Sequence, residues 1–369
     1  MISPKWWLLS LFAPLSALAQ ASLHRIETIP ADPAPGSAFQ IKVTGTWPDT
    51  CAPEVMPTFV SGNTIDVSIR AQAEQICGSA ITPYSVIVDP TGASGFGQST
   101  NGVYRVRFSV KDSANQPTLL AFRLIDLSPT TGRGVQPESG FWTPDSAGEF
   151  RTSGSGIGFM VERQGETLAM TTNAYTLGGQ AAWYLSAGEL GRASFRADLL
   201  RSIGGQPLWG TYRGAQSVEP AGSVDIEFSS DASAVVWYAR PSGEGILDPL
   251  ELMPISVRRM NFALASDGQA LDGVWTLTGT DPNSARKPDT FRLVYRTHRV
   301  VEDEAVLDDP TTGYQLRCGI DLERRDAAPV LCSLSKSGAE VARLDNNALA
   351  RLSGRDGDGL PVLMLRVGD

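Results

Sequence analysis

Apolar and polar residues alternate over short stretches along most of this chain. Phe39, Ile41 and Val43 alternate with Gln40, Lys42 and Thr44, and Ile65, Val67 and Ile69 with Asp66, Ser68 and Arg70. Tyr104, Val106, Phe108 and Val110 interleave with Arg105, Arg107 and Ser109, as do Val224, Ile226 and Phe228 with Asp225 and Glu227. A period of two puts every second side chain on one face of an extended strand, so each stretch predicts a half-buried β-strand. The 37 glycines and 24 prolines fall between such stretches without a fixed period, the punctuation of many short strands joined by turns. Helical spacing occurs only in Ala339 to Leu352, which predicts one short helix. The predicted fold class is therefore all-β.

The first residues follow a different pattern. Lys5 precedes an apolar run from Trp6 to Leu18 that is too short to span a bilayer, and the run ends in Ala17-Leu18-Ala19, a small-x-small cleavage site. The pattern predicts a signal peptide over residues 1–20 and a secreted or periplasmic mature protein. No later apolar stretch reaches the roughly 18 residues a membrane helix needs, so no membrane span is expected. Loss of the leader removes Lys5 and no acid, leaving 30 basic against 40 acidic residues, a net charge of −10. Such a surface repels phosphate backbones, and Arg258-Arg259 and Arg324-Arg325 are too small to compensate, so no nucleic-acid partner is expected.

Export also decides how the cysteines are read. Four cysteines in an oxidising compartment form disulfides by default, and they allow three pairings. Cys51 with Cys77 and Cys318 with Cys332 is the pairing expected, because each pair then lies inside one predicted domain. A structural metal would need a C-x-x-C or several imidazoles, whereas only His24 and His298 are present. Both histidines read as strand or tail surface positions, and no metal or other cofactor is expected.

About 350 residues after cleavage call for more than one core. Residues 21–111 carry a series of short strand signals, the Cys51/Cys77 pair and Gly102-Val103-Tyr104 leading into a late strand. This stretch resembles the immunoglobulin-like or fibronectin-like β-sandwich, in which a late tyrosine anchors a corner; Tyr104 is either that anchor or one more core aromatic. Trp47 precedes both cysteines, a departure from antibody-type domains. Residues 112–139, rich in proline, read as a linker around one strand, Leu119 to Leu124.

Residues 140–258 open on Gly140-Phe141-Trp142 and continue through Gly154, Gly156 and Gly158 to Gln164-Gly165-Glu166. Tyr175, Gly178-Gly179-Gln180 and Trp183-Tyr184 follow. This text resembles a tryptophan- and glycine-rich β module of exported Gram-negative bacterial proteins, which carries no known activity. Leu177 stands where the module more often has an acidic or amide residue. The resemblance implies an antiparallel meander or barrel. Gly273-Val274-Trp275 and the strand Phe291 to Tyr295 read as a second, degenerate copy, so residues 259–369 form a further β unit or complete the same barrel.

Catalytic patterns are sparse. No G-x-S-x-G elbow is present, and a Ser-His-Asp mechanism would have to recruit His24 or His298. Glu162, Glu166, Asp225 and Glu227 could supply a carboxylate pair, but at alternating strand positions they read as a solvated face. Asp356-Gly357-Asp358-Gly359, and Glu302-Asp303-Glu304 with Asp308-Asp309, read as acidic turns rather than calcium loops. Two function classes follow. One is a non-catalytic exported binding or structural protein whose ligand is a carbohydrate, surface polymer or protein; the other is a secreted carboxylate-dependent hydrolase acting on a polysaccharide. Trp209, Trp237 and Tyr184 are the candidate binding residues. Trp142 and Trp183 are expected in one buried cluster, whereas Trp209, set between Gly204-Gly205-Gln206-Pro207 and Gly210, is expected at an exposed turn.

Overall fold

The computed structural model describes residues 24–72, 76–93, 96, 102–129, 134–153, 156–260, 269–281, 286–299, 303–320, 328–329 and 331–368. The leader predicted over residues 1–20 lies outside the described residues. The protein is all-β, and the strands among the described residues fall into three groups of eight.

The first group comprises Arg25–Ile29 (β1), Gln40–Trp47 (β2), Glu54–Val55 (β3), Phe59–Ser61 (β4), Thr64–Arg70 (β5), Thr82–Val88 (β6), Val103–Lys111 (β7) and Pro117–Asp126 (β8). One sheet runs β1-β2-β6; the other runs β3-β5-β7-β8, with β4 also on β5 and β5 parallel to β7. Alternate residues of β2, β5 and β7 fill the space between the sheets: Ile41, Val43, Ile65, Val67, Val106 and Phe108 are fully buried. Tyr104 packs into this core against Phe96, with ring centroids 5.5 Å apart. The Cys51–Cys77 disulfide is formed, with Cα atoms 5.5 Å apart. The segment read as a linker needs correction. Pro117–Asp126 pairs with β7 from Val103↔Asp126 to Lys111↔Pro117, so it is a full strand of the sandwich, because its apolar residues are covered on both faces.

The second group is Gly140–Pro144 (β9), Gly158–Gln164 (β10), Thr167–Tyr175 (β11), Ala181–Glu189 (β12), Ser194–Ile203 (β13), Ser217–Ser230 (β14), Ser233–Pro241 (β15) and Leu250–Arg259 (β16). Each pairs antiparallel with the next, and β16 returns to β9, which closes an up-and-down barrel. The third group closes in the same way: Gly273–Gly279 (β17), Asp289–Arg299 (β18), Glu304–Asp309 (β19), Tyr314–Gly319 (β20), Cys332–Lys336 (β21), Ala339–Asn347 (β22), Arg351–Asp356 (β23) and Pro361–Gly368 (β24). Residues 259–369 therefore contain a complete barrel of their own.

The two Gly-x-Trp sequences do the same work in the two barrels. Trp142 and Trp275 lie buried on the first strand, opposite Phe159 and Phe291 on one side and Arg259 and Arg366 on the other. Their indole N–H groups donate to the carbonyls of Glu138 (3.0 Å) and Leu271 (2.9 Å), each four residues upstream. Gly140 and Gly273 have φ of 129° and 144°, and a Cβ there would meet the Arg259 guanidinium at 2.7 Å or the Gly368 carbonyl at 2.6 Å. Backbone conformation favours glycine at both positions, and at Gly273 the backbone carbonyl of Gly368 also leaves no room for a Cβ. The seam of each barrel is closed by one glycine, one tryptophan and one arginine.

The helix predicted over Ala339 to Leu352 is also corrected: this stretch gives β22, a turn and the start of β23. Its alanines and leucines favour a helix locally, but Ala342 and Leu344 point into the barrel core and their strand pairs on both sides, so tertiary pairing overrides propensity.

Sandwich and first barrel are joined face to face. Phe122 of β8 stacks on Trp237 of β15 at 4.9 Å, and the Arg105 guanidinium lies over the Trp237 ring at 4.9 Å while its Nε donates to Glu227 at 2.9 Å. Asp225, fully buried, pairs with Arg196 at 3.2 Å. His24 is buried in this region as well, which corrects its reading as a surface residue. Burial lowers its pKa and keeps the imidazole neutral, so Nε2–H donates to the Ile246 carbonyl and Nδ1 accepts from the Tyr84 hydroxyl, both at 2.8 Å. His298 lies on β18 opposite Ala305; its side chain is outside the described residues.

Candidate ligand-binding mouth of the first barrel

An up-and-down barrel sends its hairpin loops alternately to its two ends. At one end of the first barrel the connections are tight turns, 165–166, 190–193 and 231–232; at the other they are 145–157, 176–180, 204–216 and 242–249. The tight end is plugged by Trp142, Leu168, Leu190 and Phe228. The end with long loops is the mouth.

The lumen becomes polar as it approaches this mouth. Strand β12 directs Tyr184 and Ser186 inward, opposite Thr172 and Met170 of β11. The Thr172 hydroxyl and the Tyr238 phenol are 2.7 Å apart; since β11 and β15 are not neighbours in the sheet, this hydrogen bond crosses the lumen. Burial pushes the Tyr238 pKa upward, so the phenol stays protonated and available as a donor. The Ser186 hydroxyl is fully buried and, among the described residues, has no hydrogen-bond partner. A buried polar group without a partner costs free energy, on the order of 1–3 kcal/mol.

At the mouth end, the 204–216 loop continues the β13–β14 hairpin through a Gln216 N–H bond to the Ile203 carbonyl (2.9 Å). It is tied internally: the Arg213 guanidinium donates twice to the Gly205 carbonyl (3.0 and 2.7 Å), and Gln206 donates to the Gly210 carbonyl (2.9 Å). Polar groups thus hold the loop while its apolar ones face outward. Trp209 is 92 % exposed, Tyr212 91 % and Leu208 84 %. Beneath the loop a cavity of about 610 Å³ is lined by Ala182, Trp183, Arg201, Gln206, Pro207 and Arg213, among others. From Trp183 an exposed apolar track continues down the outer wall, with Leu185 on β12 aligned through Thr171 with Met160 on β10.

The aromatic residues singled out from sequence have separate fates. Trp209 is exposed at the mouth, and Tyr184 is half-buried in the lumen at the same end. Trp237 is 6 % exposed and corrects its reading as a binding residue: it points outward from β15, but the sandwich covers that outer face. Trp183, expected beside Trp142 in the core, is 50 % exposed because it has the opposite parity from Tyr184 on β12. Tyr212, Arg201 and Arg213 escaped sequence reasoning. The signal available was Tyr212 and Arg213 in a glycine-rich interval with no alternation, with Arg201 on the strand that leads into it.

The acidic residues are largely engaged elsewhere. Asp225 and Glu227 hold arginines at the sandwich contact rather than forming the solvated face that alternation predicts, because the sandwich covers that face. Glu162 is exposed on the outer face of β10, and Glu166 lies in the β10–β11 turn. Asp356 accepts from the backbone N–H groups of Asp358 and Leu360 in a hairpin turn, and Asp308 pairs with Arg296 at 2.6 Å. Cys318 and Cys332, opposite each other on β20 and β21, form the second disulfide inside the core of the second barrel. Among the described residues no helix is long and apolar enough to cross a membrane. No protein family, curated protein or solved structure matches this chain.

Proposed function

We propose that this is an exported, non-catalytic binding protein in which an immunoglobulin-like sandwich supports a barrel whose mouth takes a carbohydrate polymer. Export is supported by the leader pattern of residues 1–20 and by the two disulfides. The observation that carries the binding reading is the outward display of Trp209, Tyr212 and Leu208 on a loop ordered by its own hydrogen bonds. Large apolar side chains held in water mark an interaction surface, and indole and phenol rings pair a flat apolar face with a polar edge, as a sugar ring does. A polymer suits the site better than a compact ligand because the apolar surface extends from the loop past Trp183 to Leu185 and Met160.

The test is binding of the chain from residue 21 onward to an array of immobilised glycans and polysaccharides. Trp209→Ala and Trp183→Ala are each expected to weaken binding by roughly tenfold or more, the loss typical of a contact hot spot, with no change in melting. Unchanged binding by both variants would remove the mouth from the reading.

A further inference from the structure

We infer that the polymer bound at this mouth is anionic, carrying sugar carboxylates or sulfate esters; the inference rests on the binding reading above. The cavity beneath the loop is lined by two arginines, Arg201 and Arg213, and by no acidic residue. That is a local reversal of sign in a chain with 40 acidic against 31 basic residues.

The two arginines have different tasks. Arg213 is committed to the Gly205 carbonyl through both Nε and Nη2, so it shapes the loop and contributes charge. Arg201 is the one poised for a ligand. It is opposite Tyr184 on β12 and half-buried, and among the described residues its guanidinium donates to no carboxylate or carbonyl. Glu219, its partner across the β13–β14 pair, accepts instead from the Ser217 hydroxyl (3.2 Å) and is not part of the cavity wall. Other arginines of the sandwich and first barrel are engaged: Arg105 with Glu227, Arg192 with Asp32, Arg196 with Asp225 and Arg240 with Glu251. A planar five-donor cation left without an acceptor beside an aromatic wall matches an oxyanion on a sugar ring, which a guanidinium holds through paired hydrogen bonds. Tyr184 and the unpartnered Ser186 hydroxyl extend the donor set from the cavity into the lumen.

The experiment compares the chain from residue 21 onward on polygalacturonate and alginate, which carry carboxylates, on chondroitin sulfate, and on the neutral polymers dextran and xylan, at low and high salt. Anionic polymers are expected to bind more tightly than neutral ones, with an affinity that falls as salt rises, since partly exposed charge pairs are screened. Arg201→Gln should weaken anionic binding by roughly tenfold, the scale of one charged hydrogen-bond contact, and leave melting unchanged. Arg343→Gln, on the exposed surface of the second barrel, should change neither. Preference for carboxylate or sulfate polymers identifies the anion. Equal, salt-insensitive binding of neutral polymers, untouched by Arg201→Gln, would overturn the anionic ligand and leave carbohydrate binding in place. Failure of the parent chain to bind any of the polymers would overturn both.

Discussion

The two barrels share a frame and differ in what they leave open. Both close on a Gly-x-Trp strand whose tryptophan meets a phenylalanine on one neighbour and an arginine on the other. In the second barrel, however, the core runs through Leu277, Leu293, Leu307, Leu316, Leu334, Leu344, Leu352 and Met364, all fully buried, with a disulfide among them. Its connections corresponding to the first barrel's mouth are mostly short, 310–313, 337–338 and 357–360. The first barrel has an apolar core of its own but gives its mouth to hydroxyls, arginines and displayed aromatics. An eight-stranded barrel is just wide enough to be filled by side chains, and both are filled, the second by apolar groups throughout and the first with hydroxyls toward its mouth. Inner packing and outer display can therefore be tuned separately while the seam is kept.

Breaking the shared part should cost most. Trp142→Ala and Trp275→Ala should each destabilise their barrel by about 3–5 kcal/mol, the range for a large buried aromatic, in denaturant unfolding followed by fluorescence. A small loss at only one of the two would show that the seams are not equivalent. Replacing both Cys318 and Cys332 by alanine should cost about 3 kcal/mol in the second barrel by the chain-entropy argument and leave the first unchanged. Equal shifts in both barrels would show that they unfold as one unit. Gly165, at φ 63° in the turn between β10 and β11, has open space where a Cβ would lie, so Gly165→Val bears only the backbone penalty, about 1–2 kcal/mol, confined to the first barrel. Trp209→Ala should change the melting temperature least of all, since surface substitutions usually stay within about 0.5 kcal/mol.

Strand identity was legible because alternation reports directly on which face is buried. Val224, Ile226 and Phe228 are in the first barrel's core, and Ile65, Val67 and Ile69 in the sandwich. What alternation cannot report is whether the other face is also covered. Asp225, Glu227 and Trp237 all sit on outward positions that the sandwich buries, and their partners Arg196, Arg105 and Phe122 are 29, 122 and 115 residues away in sequence. Trp183 failed for a related reason: it lies next to Tyr184, and composition does not say which of two adjacent aromatics faces inward. The Trp209 loop was legible because glycines and a proline isolate it from any strand partner.

In each barrel every loop joins adjacent strands, and the first and last strands lie side by side. No connection crosses the mouth. The 204–216 loop can therefore be lengthened, shortened or exchanged without moving the register of any strand outside the β13–β14 hairpin, at a chain-closure cost that grows only logarithmically with length. The molecule is built like a tool with an interchangeable tip: sequence change can act on one hairpin while the sandwich, the seam and the second barrel remain as they are.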